Sequence, residues 1–164
     1  MKQLMIALAA TVAFAGVQSG FAEEHESKKV TVPSLSSLQD VVNAVAYYQR
    51  EVDEHIASKE LDELHGYAYA ASDSAGKAKD FASSLSEEKR KELDERLAKI
   101  KSIAKQLDKY GDAGKVDESK QFSGKLKEES EAVQKLLGFT ASKDWKPAGA
   151  AEDSKTSGTA EKKD

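Results

Sequence analysis

The chain of 164 residues contains no cysteine. This excludes disulfides, thiolate metal sites and covalent c-type haem attachment. It also argues against a lipid-anchored form, because a lipobox needs a cysteine, and leaves a retained signal anchor as the alternative to cleavage. Methionine is confined to Met1 and Met5. A chain that loses its leader therefore has no thioether ligand for copper or haem, and a Met–His axial pair is excluded. No strong basic patch is present, and the net charge of −4 comes from mixed signs, which argues against nucleic acid as a partner. A nucleophile elbow, a phosphate loop and a dinucleotide fingerprint are all missing. HExxH and the paired Glu-x-x-His pattern of di-iron bundles are missing too. The sequence thus reads as a non-enzyme.

The longest apolar run, Leu4 to Val17, falls short of the roughly 20 residues that span a membrane. Met1-Lys2-Gln3 gives it a short basic start. Gly20-Phe21-Ala22 places small residues at minus three and minus one of a cut, and Glu23-Glu24 follows. Residues 1–22 therefore read as a secretory signal peptide. The expected location is the periplasm or the outside of the cell, with no membrane span after cleavage. Export permits disulfides without requiring them, so stability must come from burial.

Residues 23–34 read as a flexible lead-in, and Pro33 with Ser34 as a helix entrance. Four helical stripes follow. Leu38, Val41, Val42, Val45, Tyr48, Val52 and Ile56 recur at gaps of three and four, which keeps them on one face. Ser58-Lys59-Glu60 interrupts them without glycine or proline. Leu61 and Leu64 open a second stripe that runs through Ala68, Ala71, Ala75, Ala78 and Ala82. These small side chains admit a close neighbour, and large residues opposite must fill the space. Gly76 lies inside this segment, where it costs about 1 kcal/mol relative to alanine.

Ser84 with Glu87 fits a capping box, and Ser86 is an alternative cap. Leu93, Leu97, Ile100, Ile103, Ala104 and Leu107 form the third stripe. Gly111 is expected as its left-handed cap. The fourth stripe is weaker: Val116, Phe122, Leu126, Val133 and Leu137, with Ser119 and Ser130 beside it and Gly124 within it. Gly138 stops it, and Phe139 and Trp145 are expected to fold back onto the bundle end. Residues 141–164 are too polar to order themselves and read as a disordered tail.

Short connections place sequential helices antiparallel. The expected fold is all-α, an antiparallel up-and-down four-helix bundle over residues 35–140, with two hairpins at 35–82 and 85–137. Helices of about 20 residues would be about 30 Å long. An extended pair of hairpins that buries its stripes as a homodimer is the alternative.

Three histidines are available. His25 sits among Glu23, Glu24 and Glu26 in the lead-in. His55 and His65 flank the first hairpin turn. With the turn near Lys59, His65 falls opposite Val52 and Asp53, and His55 opposite Asp62 and Glu63. Glu51 precedes His55 by one turn. His55, His65, Glu51 and Glu63 are therefore the candidate metal ligands, with Asp62 able to replace Glu63. Imidazole and carboxylate suit zinc, copper(II) or nickel. The plain alternative pairs His55 with Glu51 at the surface and sets His65 at the core edge beside Leu64, Ala68 and Tyr69. Tyr47, Tyr48, Tyr67 and Tyr69 form an aromatic group whose main use is boundary packing. Gly111-Asp112-Ala113-Gly114 reads as a turn, since Asp112 and Asp117 fall short of a calcium loop.

Two stretches carry a resemblance. Leu61-Asp62-Glu63-Leu64-His65-Gly66-Tyr67-Ala68-Tyr69-Ala70 resembles the second helix of small exported helical proteins of bacteria. Ala104-Lys105-Gln106-Leu107-Asp108-Lys109-Tyr110-Gly111-Asp112-Ala113-Gly114 resembles the end of their third helix. The likeness covers roughly residues 38–137. Members of that group often occur alongside heavy-metal efflux components. The resemblance implies a periplasmic bundle in a metal-related context, and of the candidate ligands only His65 falls on the pattern. Related chains often carry arginine before the aspartate of the second helix, whereas Ser72 precedes Asp73 here.

Three functions are expected. The first is a periplasmic accessory or binding protein with weak affinity for divalent metal. The second is a structural or interaction module that docks a periplasmic protein. The third is b-type haem binding through histidine.

Overall fold

The computed structural model describes residues 30–148. The signal peptide expected at 1–22, the part of the lead-in that holds His25, and residues 149–164 of the tail lie outside the described residues. Within them the chain is all-helical, with no strand. Its long helices are α1 (Leu38–Ser58), α2 (Leu64–Gly76), α4 (Glu87–Asp112) and α5 (Val116–Leu137), with a single-turn α3 (Ala78–Phe81) after α2. None is long and apolar enough to cross a membrane.

Helix α1 starts later than Pro33 and Ser34 suggest. The Ser37 hydroxyl accepts the Asp40 amide at 3.1 Å, and the Asp40 carboxylate accepts the Ser36 amide at 3.1 Å and hydroxyl at 2.5 Å. These bonds satisfy donors that a helix start leaves free. They hold the Asp40 carboxyl below its ordinary range, the Ser36 hydroxyl contributing most. At the other end Lys59 takes the left-handed conformation with φ 64°. Its amide bonds to the His55 and Ile56 carbonyls, so the turn forms without glycine.

The alanine stripe is not one continuous helix. Leu61–Glu63 is a 3₁₀ turn, α2 ends at Gly76, and a second 3₁₀ turn covers Ala82–Ser84. The choice between the two caps of α4 goes to Ser86, whose hydroxyl accepts the Lys89 amide at 3.3 Å. The expected role of Gly111 is corrected. It lies inside α4 and is buried, while Gly114, with φ 65°, makes the left-handed turn. A Cβ on Gly111 would stand 2.6 Å from the Leu61 carbonyl oxygen and 3.3 Å from the Leu64 Cβ. The glycine serves close approach of α4 to the start of α2. Gly138, with φ 77°, ends α5 as expected.

α2 packs on α1 and α4, and α5 packs on α4 and α1. Cross-helix pairs fix the register: Lys79 with Asp94, Tyr69 with Asp108 and Arg96 with Glu129; past the end of α5, Gln39 bonds to the Thr140 carbonyl. The core joins Val41, Val45, Tyr48, Val52 and Ile56 of α1 to the alanines of α2 and to Leu93, Leu97, Ile100 and Leu107 of α4.

The packed unit extends beyond 35–140 at both ends. Val30 and Val32 pack against the core, and the Tyr48 hydroxyl donates to the Thr31 carbonyl at 3.0 Å. After α5, the Ser142 amide donates to Asn43 Oδ1 at 2.9 Å. Trp145 meets the edge of Tyr47 at 6.1 Å between ring centroids and packs against the core, so it folds back as expected.

Candidate functional site

The four candidate ligands occupy the region of the first hairpin turn but do not converge. His55 Nδ1 donates to Glu60 Oε2 at 3.0 Å, and its ring stacks on Tyr67 at 4.6 Å. The hydrogen-bond partner is thus Glu60, one residue past the turn, while the charge of His55 acts on Glu51 as a minor lowering influence. Glu51 is half-buried, and its carboxyl is pushed up, first by burial and then by the charge of Glu54, against the lowering effect of a hydrogen bond from Tyr47. Burial likewise raises the Tyr47 hydroxyl, with Glu51 adding to it. Glu63 ends the 3₁₀ turn, where its amide bonds to the Glu60 carbonyl. Among the described residues no three His, Cys, Asp or Glu side chains are grouped to hold a metal ion.

His65 is placed differently. Its Nδ1 lies 3.0 Å from the Asp62 carbonyl oxygen. A carbonyl only accepts, so Nδ1 carries the proton and Nε2 of the neutral ring is left as an acceptor. The ring stands on the lip of a groove of about 170 Å³. The extended segment at Val30 and Val32 forms one wall. The outer face of α2 forms the other, with His65, Tyr69 and Asp73 at successive turns and the small Gly66 and Ala70 between them. Spacing of four residues puts the first three on one stripe.

The groove has an apolar middle and polar ends. It is smaller than the roughly 300–1,000 Å³ of drug-sized ligand pockets, so it suits a ligand of a few heavy atoms. Its surroundings are acidic. From Glu60 to Lys77 the chain carries Glu60, Asp62, Glu63 and Asp73 against one cation, Lys77, which pairs with Asp80. From α4, Asp108 accepts the Tyr69 hydroxyl at 3.2 Å, and the charges of Asp108 and Asp112 help to raise that hydroxyl's pKa after burial, the leading cause.

Sequence reasoning finds His65 and misses its setting. It gives Asp73 no role and places Val30 and Val32 in the flexible lead-in. The available signal is the alternation in Val30-Thr31-Val32, which marks an extended strip with one apolar face. No family model, no curated protein and no solved structure matches the chain.

Proposed function

We propose that this is an exported, non-catalytic helical binding protein whose ligand face is the groove over α2. The observation that carries this reading is the groove itself, in which apolar walls, a tautomer-fixed imidazole and an exposed carboxylate line one small cleft. The scaffold beneath it is read as an antiparallel up-and-down bundle. Support comes from the cross-helix pairs, in which residue numbers fall on one helix as they rise on the next. The leader-like start of the sequence and the resemblance to small exported bacterial proteins support export.

Weak divalent-metal binding is the second reading. It is supported by the free Nε2 of His65, the side chain that would coordinate zinc, copper(II) or nickel. A ligand that binds only the folded state raises apparent stability. The test measures thermal unfolding of the protein against small cations, neutral solutes and the three metal ions, before and after Asp73→Asn removes the exposed carboxylate of the groove. A stabilising ligand whose effect disappears in Asp73→Asn supports the groove. A panel in which no solute acts through it rejects the binding-module reading. Saturable metal binding lost in His65→Ala selects the second reading over the first.

A further inference from the structure

The dimensions and charge of the groove select a ligand class, and that selection rests on the groove being the binding face of the protein. His65 and Asp73 are eight residues apart on one helix, which separates them by about 12 Å along the axis at about 1.5 Å per residue. Helical side chains lean the same way along the axis, so the separation carries over to their polar ends. Two hydrogen bonds of about 2.9 Å each leave about 6 Å between the ligand's own polar atoms. That is the reach of a chain of about four carbons between two nitrogens.

Charge selects the sign. Asp73 is exposed, and among the described residues no lysine or arginine pairs with it. Asp62, Glu63 and Asp108 add negative potential around the groove, which concentrates cations there. The Tyr69 ring adds a face that attracts ammonium groups. Between the ends, Gly66 and the buried Ala70 form the floor, and Val30 and Val32 supply an apolar wall. A simple inorganic cation would use Asp73 and leave the rest of the groove without function. A neutral alkane would use the walls and leave the carboxylate unpaired.

We propose that the groove binds a short aliphatic diamine of four or so carbons, such as 1,4-diaminobutane. One ammonium pairs with the Asp73 carboxylate, and the methylenes lie over Gly66 and Ala70. The second nitrogen donates an N–H to Nε2 of His65. Recognition thus needs both ends of the ligand. A monoamine retains only the Asp73 pair and the apolar contact.

The test is a nuclear magnetic resonance titration of the ¹⁵N-labelled protein with 1,4-diaminobutane, butylamine, 1-butanol and sodium chloride at matched ionic strength. Saturable shifts confined to residues 30–32 and 65–73 are expected for the diamine, with butylamine binding roughly tenfold more weakly, the size of one lost hydrogen bond to a charged group. Asp73→Asn should weaken both amines by tenfold or more. His65→Phe should weaken the diamine and leave butylamine unchanged. The dispersion of each spectrum reports that the variant is folded. Diamine shifts that match those of sodium chloride, or an affinity indifferent to both substitutions, overturn the proposal. Saturable groove shifts with 1-butanol but not with the diamine would overturn the diamine alone and keep the binding module. Silence of the groove toward every solute would remove both.

Discussion

Helices α2 and α5 both pack against α4 and α1, yet they are attached by different chemistry. The inner face of α2 is mostly alanine, with Ser72 and Ser74 buried beside it. Ala68, Ala71 and Ala75 are buried at 1% exposure or less, and Gly111 lets the start of α2 lie directly on α4. Close contact of small residues leaves few rotamers to freeze and few voids. Helix α5 buries Leu126 and Val133 with three serines, Ser119, Ser123 and Ser130. Its seam with α1 is polar. The Ser123 hydroxyl donates to Asp53, which also accepts Gln49 Nε2 at 2.5 Å. Past the helix end, Gln39 Nε2 bonds to the Thr140 carbonyl at 2.9 Å. Such bonds replace bonds to water and contribute about 1 kcal/mol each. Toward α4, Glu129 takes Arg96 at 3.1 Å and Lys99 at 3.2 Å, and Tyr110 stacks on Phe122. The difference teaches that α2, which carries the groove, is held by close contact of small residues, whereas α5 is held with more polar bonds, and α5 is the helix expected to open first.

Six substitutions sharpen that contrast. The largest effects come from emptying the core. Leu64→Ala in α2 and Leu126→Ala in α5 should each cost about 2–5 kcal/mol, measured by denaturant unfolding. Leu64→Ala should loosen the whole molecule, and Leu126→Ala should act first on the amides of α5. Equal spread of both effects would break the distinction. Next are the two glycines. Gly111→Ala drives a methyl into the Leu61 carbonyl and should cost about 1–3 kcal/mol. Gly124→Ala meets nothing within 4 Å and should gain about 0.5–1 kcal/mol from helix propensity. A similar cost at both positions would contradict the close approach of α4 to the start of α2.

Ser119 offers a second stabilising change of similar size. Its buried hydroxyl has no hydrogen-bond partner among the described residues, so Ser119→Ala should stabilise by about 1 kcal/mol in the same measurement. A loss there would mean that the polar character of α5 adds stability. The smallest effect is pH-dependent. Burial holds the Glu51 carboxyl above its ordinary range, so the folded state holds that proton more tightly than the unfolded chain. The resulting stabilisation is full below the ordinary glutamate pKa and is lost as pH rises through the raised value. Glu51→Gln should remove this fall from the stability profile, read as the difference between the wild-type and variant curves. Identical slopes would contradict it.

Much of this architecture is legible in the sequence because it depends on periodicity. The stripes of α1 and α4 repeat large apolar residues every three or four positions, and burial follows them with little exception. Gly138 is legible for a local reason, since a left-handed residue after a weak stripe ends a helix. The role of Gly111 is not, because it depends on Leu61 and Leu64, some fifty positions away. Two glycines three apart offer equal local claims to the cap, and tertiary contact decides between them. The same limit governs the candidate site. His65 can be singled out, but the groove beside it needs Val30 and Val32 laid across α2, and no spacing rule relates those positions. His55 does lie near the turn, as its position suggests. Its partner is Glu60 because Lys59 turns sharply enough to bring the next residue back.

The most direct test of the contrast is native-state hydrogen exchange followed residue by residue as denaturant is raised from zero. The account predicts that amides in 66–76 and 97–108 exchange only through global unfolding, while those in 120–134 exchange through an opening of lower free energy. Exchange of 120–134 at the global free energy, or earlier opening of 66–76, would contradict it.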